Sequence, residues 1–573
     1  MPSSPNSNVI SRQKDWWRSA IVYQIYPRSF QDSNGDGIGD IPGITARLDY
    51  LADLGVDVIW LSPVYRSPQV DNGYDISDYR DIDPIFGCLD DIDTLIAKAH
   101  ELGIKIMMDL VVNHTSNKHE WFIASRNPKS DKRDWYYWRD AKPGCTPGAP
   151  GAEPDASPAA FSPSAWTFDE TSGQYYLGVF SPGQPDLNWE NQDVRQTVYE
   201  MMRWWVARGV DGFRMDVINM ISKPESLTSG GPLAPEGARE RDIVNGPRLD
   251  EFLAEMNREV GLEREHLMTV GETPGATIEV AKRITGSDRH ELNMVFTFEH
   301  VNLDQADQGT KWDLAKLHLP DLKKNLAAWQ DGLADVGWNS LYWDNHDQPR
   351  VVSRFGDDSD EHRVNSAKTL ATVLHMHKGT PFIYQGEEIG MTNVPFASIE
   401  DYRDVESLNY YRLALAAGKP EAEILTSLAV KSRDHARTPM QWEESANAGF
   451  TNGEPWFKPN PNYPKINAKA ARQDPNSVFK HYQALIKLRH ESEVVREGRF
   501  ELLLAEHEQI WAFTRTLGDE TLLVLANCSS KRAAIPNDLP DLNGGELILG
   551  THADNAPDYL APWESRILSF KKA

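Results

Sequence analysis

Short apolar runs alternate with amphipathic stretches along most of the chain, which is the pattern of repeated βα units. Eight runs are predicted to be strands, at residues 21–25, 58–61, 104–112, 212–216, 267–271, 294–298, 340–343 and 381–384. Helices are predicted at 44–54 and 90–102, and each is followed by a glycine where a helix C-cap belongs. Eight such units in one chain favour a closed barrel over an open sheet.

The alternation of apolar runs and amphipathic stretches is interrupted once and ends before the C-terminus. Residues 119–185 show little helical period, and 142–163 are rich in Pro, Gly and Ala, so we predict an inserted subdomain there. Beyond about residue 491, alternation without helices, at 508–515 and 521–526, predicts antiparallel strands. The expected fold is α/β: a (β/α)₈ TIM barrel (1–118 and 186–490), an inserted subdomain B after strand 3 (119–185) and a C-terminal antiparallel β domain (491–573).

The balance of charge narrows the choice of partners. The 573 residues include 59 Lys and Arg against 85 Asp and Glu, a formal net charge of −26, which repels nucleic acid and anionic membranes. No apolar run approaches the ~20 residues that cross a bilayer, and the first fifteen residues lack the apolar core of a signal peptide. The 3 cysteines, Cys88, Cys145 and Cys528, are scattered and fit a reducing compartment. We therefore expect a cytoplasmic protein with neither nucleic acid nor membrane as a partner.

Charged and polar side chains follow several of the predicted strands, and a (β/α)₈ barrel carries its active site at the carboxyl ends of its strands. In chain order these are Asn113, His114, Arg214, Asp216, Glu272, Asn345, His346 and Asp347. A lone strand-end carboxylate is commonly a helix cap, but three that would repel one another need a further reason. Glycoside cleavage supplies one, because one carboxylate attacks while a carboxylic acid protonates the leaving oxygen. A third carboxylate can stabilise the positive charge of the transition state.

The residues around these positions resemble glycoside hydrolase family 13, the α-amylase family, and within it the oligo-1,6-glucosidase and α-glucosidase group. The matching segments occur in the family's order from about Trp16 to the C-terminal domain. They are Tyr23-Gln-Ile-Tyr-Pro27, Asn72-Gly-Tyr-Asp75, Asp109-Leu-Val-Val-Asn-His114, Gln184-Pro-Asp-Leu-Asn188, Gly212-Phe-Arg-Met-Asp216, Val270-Gly-Glu272, Asn345-His-Asp347 and Arg437-Thr-Pro-Met-Gln-Trp442.

The resemblance implies a retaining, exo-acting α-glucosidase that forms a covalent glucosyl-enzyme and needs no cofactor for catalysis. It implies that Asp216 is the nucleophile, Glu272 the general acid and base, and Asp347 the carboxylate that binds sugar hydroxyls. His114, His346, Arg214, Asp71 and Tyr74 are implied to hold the glucose or orient the nucleophile. Arg433 and Arg437 both lie where an arginine completes the pocket in relatives, and the sequence does not choose between them. Phe161, Phe180 and Gln184 look like pocket walls, although the two phenylalanines fit a subdomain core equally well.

Linkage preference is suggested by Val217, the residue after the implied nucleophile. Relatives that prefer α-1,6 bonds resemble this chain there, and maltose-preferring relatives usually carry Thr or Ala. The segment Gln184-Pro-Asp-Leu-Asn188 points the same way, so isomaltose-like oligosaccharides are the expected substrates. Preference for α-1,4 bonds or sucrose, and transglucosylation, remain alternatives. Sucrose isomerases share most of the motifs but carry a basic loop where this chain reads Asn302-Leu-Asp-Gln-Ala-Asp307. Non-enzymatic transporter-associated relatives have a transmembrane segment and eroded catalytic positions, so they fit poorly.

A calcium-like loop follows the first predicted strand. Asp32, Asn34 and Asp36 take positions one, three and five of an EF-hand-like spacing, with Gly37 at position six. Gly43 replaces the glutamate expected at position twelve, so the loop is not an EF-hand. A structural Ca²⁺ held by Asp32, Asn34, Asp36, the Ile38 carbonyl and Asp40 is one interpretation, and an ion-free turn rich in Asp and Asn is the other.

Overall fold

The structure is a computed structural model that describes residues 12–157, 159–224, 243–307, 309–537, 539 and 544–571. Parts of all three predicted domains, and most of the first fifteen residues, lie outside these ranges. Within the described ranges the strands are β1 (Val22–Ile25), β2 (Val58–Leu61), β3 (Tyr65–Arg66), β4 (Asp78–Ile82), β5 (Lys105–Val111), β6 (Trp138–Arg139), β7 (Trp166–Asp169), β8 (Gln174–Leu177), β9 (Gly212–Asp216), β10 (Met268–Glu272), β11 (Met294–Phe296), β12 (Ser340–Leu341), β13 (Thr380–Tyr384), β14 (Arg499–Leu503), β15 (Ile510–Leu517), β16 (Glu520–Asn527), β17 (Ala533–Ala534), β18 (Glu546–Gly550), β19 (Tyr559–Leu560) and β20 (Ser565–Lys571).

Most α-helices lie between the strands of the barrel sequence. They are α1 (Ile41–Ala46), α2 (Leu48–Leu54), α3 (Leu89–Glu101), α4 (Glu120–Ser125), α5 (Gln192–Ala207), α6 (Leu249–Val260), α7 (Ile278–Thr285), α8 (Leu319–Leu333), α9 (Val351–Arg354), α10 (Arg363–His375), α11 (Val405–Ala416), α12 (Glu421–Lys431), α13 (Asp434–Arg437), α14 (Ala468–Gln473), α15 (Val478–Glu491) and α16 (Glu493–Glu497). None of these helices has the length and apolar character that a membrane crossing requires.

The central sheet has eight strands in the order β11-β10-β9-β5-β2-β1-β13-β12. Its neighbouring strands run parallel, and β1, β2, β5, β9, β10 and β13 are buried along almost their whole length. Parallel strands buried on both faces read as continuous apolar runs, which is why all eight were recognisable in the sequence. The predicted (β/α)₈ barrel fold is thereby confirmed.

The chain forms two compact units, Met1–Lys14 with Trp60–Ala97 and Lys105–Thr297, and Asp15–Ile59 with Lys98–Ile104 and Phe298–Ala573. The first unit includes β5 and β9–β11, and a small antiparallel sheet of order β6-β8-β7 in the segment predicted as an insertion. Trp166, Tyr175 and Leu177 of that small sheet pack in one apolar cluster with Val217. The second unit includes a C-terminal antiparallel sheet of order β14-β15-β16-β20-β18, as the alternation predicted.

Three local predictions need correction. The single helix predicted at 44–54 is two helices, because Arg47 leaves helical geometry with φ −105° and ψ 5°. The first of them also starts earlier, since Asp40 caps it through the Gly43 N–H. The region beyond residue 491 does contain a helix, α16, which begins at the capping residue Ser492 and is too short to show a helical period. The domain boundaries themselves stay predictions.

Candidate active site

Three neighbouring strands of the first unit carry the candidate catalytic side chains. β9 pairs with β5 on one side and β10 on the other, so their carboxyl ends meet at one edge of the sheet. The register places Asp109 opposite Arg214. Asp216 lies two residues beyond Arg214 and therefore on the same face of β9, and Glu272 is the last residue of β10. Parallel pairing thus gathers residues that are up to 163 positions apart, from Asp109 to Glu272, around one point.

The Arg214 guanidinium connects three buried carboxylates. Its Nη1 donates to Asp109 Oδ1 at 2.9 Å and to Asp216 Oδ1 at 2.7 Å, and its Nη2 lies 2.8 Å from Glu272 Oε2. Trp60 supports the cation from below, with its ring 5.2 Å from the guanidinium carbon. Burial alone would lower the pKa of Arg214, but the neighbouring carboxylates outweigh it and raise that pKa well above the usual value. The arginine therefore stays charged and fixes the spacing of the carboxylates.

Asp216 and Glu272 differ in what surrounds their oxygens. Burial raises the pKa of Asp216 to about 7, although the Arg214 charge and a hydrogen bond with the Glu272 side chain act in the lowering direction. Two carboxyl groups can share a hydrogen bond only if one of them is protonated. Glu272 Oε2 already accepts the Val217 N–H at 3.2 Å besides facing Arg214, so its other oxygen is the place for that proton. A retaining glycosidase needs one ionised and one protonated carboxyl group, and this arrangement lets Asp216 and Glu272 share a single proton.

Val217 has a strained backbone directly after the candidate nucleophile. Its φ of 36° and ψ of 42° lie in the left-handed region, where a β-branched residue is an outlier. This conformation points the Val217 N–H at Glu272 rather than along the strand. Strained backbone costs of order 1–3 kcal/mol and concentrates at functional sites. The backbone conformation therefore indicates that Val217 belongs to the site, independently of its side chain.

A polar network beside the carboxylates contains most of the other predicted binding residues. Gln184 donates to Asp71 Oδ2 at 3.1 Å, and Tyr74 donates its hydroxyl to Asp109 Oδ2 at 3.0 Å. His114 Nε2 lies 3.0 Å from the Tyr74 carbonyl oxygen. Since Tyr74 reaches Asp109, this network is joined to the Arg214 cluster.

The two predicted wall residues belong to the same neighbourhood. The Phe180 ring lies 5.1 Å from the His114 ring, and the Phe161 ring lies 6.1 Å from Phe180. Phe180 also packs at the margin of the subdomain cluster of Trp166 and Leu177. For Phe180 the two sequence interpretations, pocket wall and subdomain core, are therefore compatible.

Lys223 was missed by the sequence reasoning, and it decides the protonation of His114. Its fully buried ammonium contacts Asp186 at 2.6 Å and donates to Asn113 Oδ1 at 2.6 Å. With that oxygen occupied, the Asn113 Nδ2 faces His114 Nδ1 at 3.2 Å and must be the donor. His114 therefore carries its proton on Nε2, and burial lowers its pKa to about 3, so the ring is neutral. Asn113 and Asp186 lie in matching motifs, but nothing local in the sequence marks Lys223.

The second unit carries its own charged cluster around Asp347. Both candidate arginines contact Asp347 Oδ1, Arg433 through Nη1 at 3.1 Å and Arg437 through Nη2 at 2.7 Å, so both belong to this cluster. His346 Nε2 lies 3.3 Å from Asp347 Oδ2. Burial opposes ionisation of Asp347, but His346 and the two arginines hold its pKa well below the usual range.

Asp404, the N-cap of α11, was also missed. It accepts three hydrogen bonds from Arg433, at 2.9 to 3.0 Å, and a further one from Arg437. The side chain is fully buried, and its pKa is lowered because the two arginines overcome the cost of burial. Asp404 therefore anchors both arginines through guanidinium nitrogens that Asp347 does not contact.

In the loop after β1, the candidate calcium ligands face their own backbone. Asp32 accepts the N–H groups of Asn34, Gly35 and Gly37 at 2.8 to 2.9 Å, and Asp40 accepts from Gly43 at 2.7 Å and Ser33 at 3.1 Å. Asn34 and Asp36 accept the N–H groups of Asp36 and Ile38 in the same way. Across the described ranges, no three His, Cys, Asp or Glu side chains are grouped to hold a metal ion. The arrangement is that of successive Asx turns and does not itself form a metal cage.

Comparisons with known proteins agree with this geometry. A family profile described as "Alpha amylase, catalytic domain" matches residues 24–498. The chain is 57% identical over 515 residues to an oligo-1,6-glucosidase of Halalkalibacterium halodurans, covering 89% of this chain and 90% of that protein. It is 54% identical over 571 residues to an oligo-1,6-glucosidase of Parageobacillus thermoglucosidasius, covering 98% and 100%.

Solved structures give the same result. The trehalose-6-phosphate hydrolase of Bacillus licheniformis is similar with a TM-score of 0.91 and 47% identity, covering 97% of this chain and 100% of that one. The isomaltulose synthase of Klebsiella sp. LX3 is similar with a TM-score of 0.91 and 40% identity, covering 97% and 99%. A profile match over most of the chain, together with the three carboxylates at strand ends, identifies the chain as a glycoside hydrolase that belongs to the alpha-amylase family.

Proposed function

We propose that this enzyme is a retaining, exo-acting α-glucosidase that releases glucose from the non-reducing end of α-1,6-linked oligosaccharides. The observation that carries the proposal is that Asp216 Oδ1 and Glu272 Oε2 contact the two terminal nitrogens of one guanidinium, that of Arg214, at 2.7 and 2.8 Å. Retaining glycosidases hold their carboxyl groups at the shorter of the two known separations, because the nucleophile itself attacks the sugar. Carboxylates held on the same guanidinium lie close together and favour direct attack over the intervening water of an inverting enzyme.

In the first step, ionised Asp216 attacks C1 of the terminal glucose. Glu272 transfers its proton to the glycosidic oxygen, the C1–O bond breaks, and the shortened sugar leaves with that proton. In the second step, Glu272, now ionised, removes a proton from water, and the water oxygen attacks C1 and releases Asp216. Arg214 favours the ionised form of Asp216, and neutral His114 donates from Nε2 to a sugar hydroxyl in exchange for the Tyr74 carbonyl oxygen. Asp347, with Arg433, Arg437 and His346, is proposed to hold sugar hydroxyls, as the family resemblance implies.

The α-1,6 preference is supported by Val217 and by the names of the relatives. Val217 is nearly fully buried, and its neighbours in the cluster include Met220 and Ile243. A change of one methyl group in such a place alters discrimination by about 1–3 kcal/mol. Two relatives with more than half of their residues identical are oligo-1,6-glucosidases. Val217→Thr is therefore expected to raise the maltose-to-isomaltose ratio of kcat/KM by about tenfold or more.

One experiment tests reaction class and linkage together. The purified enzyme is mixed separately with isomaltose, maltose, sucrose, trehalose 6-phosphate and an aryl α-glucoside, and the first-formed anomer is followed by NMR. We expect α-glucose first, isomaltose as the best natural disaccharide, and no turnover by Asp216→Asn. Initial β-glucose would refute retention, and faster cleavage of maltose would refute the linkage. Isomerised sucrose in place of free glucose would establish the isomerase alternative, which the acidic segment Asn302 to Asp307 disfavours.

A structural Ca²⁺ is proposed at Asp32, Asn34, Asp36, the Ile38 carbonyl and Asp40, on the spacing of their oxygens alone. Binding requires Asp32 and Asp40 to share oxygens that now accept N–H groups. Dialysis against EDTA is expected to lower the Tm, and added Ca²⁺ to restore it. An unchanged Tm and activity would refute the site and leave the Asx-turn interpretation.

A cytoplasmic location without nucleic-acid or membrane partners is proposed from charge and cysteine chemistry. The net charge is −26, and the three cysteines are free thiols. Exposed thiols such as Cys88 persist in reducing compartments. Fractionation of the source cells tests the location, and we expect the protein in the cytosolic fraction. Chromatography on an anionic matrix tests the absence of such partners, and we expect no retention.

A further inference from the structure

A cavity of about 680 Å³ in the second unit has a lining rich in basic side chains. Its walls come from α2, from Trp442 and Glu443, from α14 and from the start of α15. Four basic side chains, Arg47, Lys469, Arg472 and Lys480, face it together with two acidic ones, Asp53 and Glu443. A cavity with an excess of cations is unexpected in a chain with a formal net charge of −26.

Two of the cations already have carboxylate partners. Arg472 Nη2 lies 2.8 Å from Asp53, and Lys469 lies 3.4 Å from Glu443 and 3.0 Å from Glu444. These contacts are exposed and contribute little to stability. They do, however, account for both acidic side chains of the cavity.

Arg47 and Lys480 have only neutral partners among the residues that the structure describes. Arg47 is half-buried and lies 4.1 Å over the Trp442 ring. It donates to Gln31 Oε1 from Nε at 2.8 Å and from Nη2 at 2.5 Å, which leaves Nη1 for a ligand. Lys480 donates to Gln483 Oε1 at 2.9 Å. Burial lowers the pKa of Arg47, with Glu443 too distant for direct contact and only partly opposing that effect. A partly desolvated guanidinium without a counter-charge is unfavourable unless an anion from solution completes the site.

The geometry points to a binding site for a phosphate monoester of a small hydroxylated molecule, such as a sugar phosphate, with Arg47 and Lys480 as its phosphate ligands. A guanidinium fork and an ammonium are the side-chain groups that bind phosphate oxygens most strongly. The cavity volume lies within the range of small-molecule sites and far exceeds the needs of inorganic phosphate. The space next to the cations is therefore available for the esterified molecule. The proposal does not depend on the proposed function.

Calorimetry and thermal denaturation test this site with glucose 6-phosphate, inorganic phosphate and glucose as probes. Ionic strength is held constant with sodium chloride, and excess glucose is present in the phosphate titrations to occupy the glucosidase pocket. A ligand that binds only the folded state raises the Tm with its concentration. We expect glucose 6-phosphate to bind and raise the Tm, inorganic phosphate to bind more weakly, and glucose to leave this site unaffected.

Lys480→Gln and Lys487→Gln form a matched pair, since both lysines lie on α15 but Lys487 is exposed and pairs at 3.8 Å with Glu491. Loss of one charged hydrogen bond predicts about tenfold weaker binding in Lys480→Gln. The affinity of Lys487→Gln is expected to equal that of the wild type. Arg47→Lys, which keeps the charge but not the fork, is the second variant should Lys480→Gln fold poorly. Absence of binding, or equal affinity in the matched pair, would overturn the site. Inorganic phosphate binding as tightly as glucose 6-phosphate would overturn the assignment to an ester.

Discussion

Asp109 and Arg214 act on the pKa of Asp216 in opposite directions, so substituting each of them gives predictions of opposite sign. Asp109→Asn removes a negative charge near Asp216, and Arg214→Gln removes the positive charge that stabilises it. Asp216 must be ionised to attack, so the acidic limb of the pH dependence of kcat/KM follows its pKa. The limb is expected to move to lower pH in Asp109→Asn and to higher pH in Arg214→Gln.

The hydrogen bonds set the size of these shifts. Asp109 and Asp216 each accept from the same nitrogen of Arg214, at 2.9 and 2.7 Å. Their oxygens are therefore at most about 6 Å apart, and unit charges at that distance interact by about 3 kcal/mol at an effective dielectric constant of about 20. One pKa unit corresponds to about 1.4 kcal/mol, so Asp109→Asn is expected to lower the limb by about 2 pH units or more. The closer charge of Arg214 predicts a rise of about 3 units on its removal.

The assay is hydrolysis of an aryl α-glucoside between pH 4 and about 11, with the Tm of each variant measured at every pH. Wild-type activity is expected to fall below about pH 7, because burial raises the pKa of Asp216 to about 7. Asp109→Asn then retains a larger fraction of its maximal activity at pH 5 than the wild type does. If a folded Asp109→Asn enzyme keeps the wild-type limb, or shifts it upward, the electrostatic role assigned to this cluster is wrong.

Three further predictions concern the second unit. Asp404→Asn is expected to cost about 3–5 kcal/mol of unfolding free energy in urea, because two buried arginines lose the fully buried carboxylate that they share besides Asp347. Glu406→Gln, which removes the longer 3.4 Å contact of Arg433, serves as its control, and an equal cost would refute the special role of Asp404. Gly37→Ala is expected to lower the Tm far more than Gly35→Ala, because its Cβ would lie 1.8 Å from the Glu454 carbonyl oxygen, whereas nothing lies within 4 Å of that of Gly35. Similar Tm values would contradict this packing. Asp347→Asn is expected to lower kcat/KM on isomaltose about 10²-fold or more while reducing the Tm less than Asp404→Asn, and a variant with wild-type kcat/KM would exclude Asp347 from catalysis.

The barrel strands were readable because a parallel strand buried on both faces is a continuous apolar run, and the chemistry stands at its end. Asp216 closes β9 and Glu272 closes β10, as the sequence predicted. Elements too short or too local to show a periodic pattern could not be predicted from the sequence. The helix α16 is only five residues long, and the break at Arg47 depends on two dihedral angles.

The residues of the candidate site also fall into those that the sequence predicted and those that it did not. Residues inside recognisable segments, such as His114 and Tyr74, are joined by hydrogen bonds within the first unit. Asp404 and Lys223 act through contacts with residues distant in sequence, Arg437 and Asp186, and a lone Asp or Lys carries no local sign of such a contact. The choice between Arg433 and Arg437 could not be made from spacing because both side chains reach Asp347.

The left-handed conformation of Val217 has a consequence for how substrate range can change during evolution. Val217, which is proposed to select the linkage, has a strained backbone conformation. Each replacement there therefore alters folding stability together with specificity. Thr retains the branched side chain and its strain, whereas Gly would relax it and release the amide that is directed at Glu272. Variants that acquire a new sugar at this position will therefore need reserve stability elsewhere, or compensating substitutions that arise first.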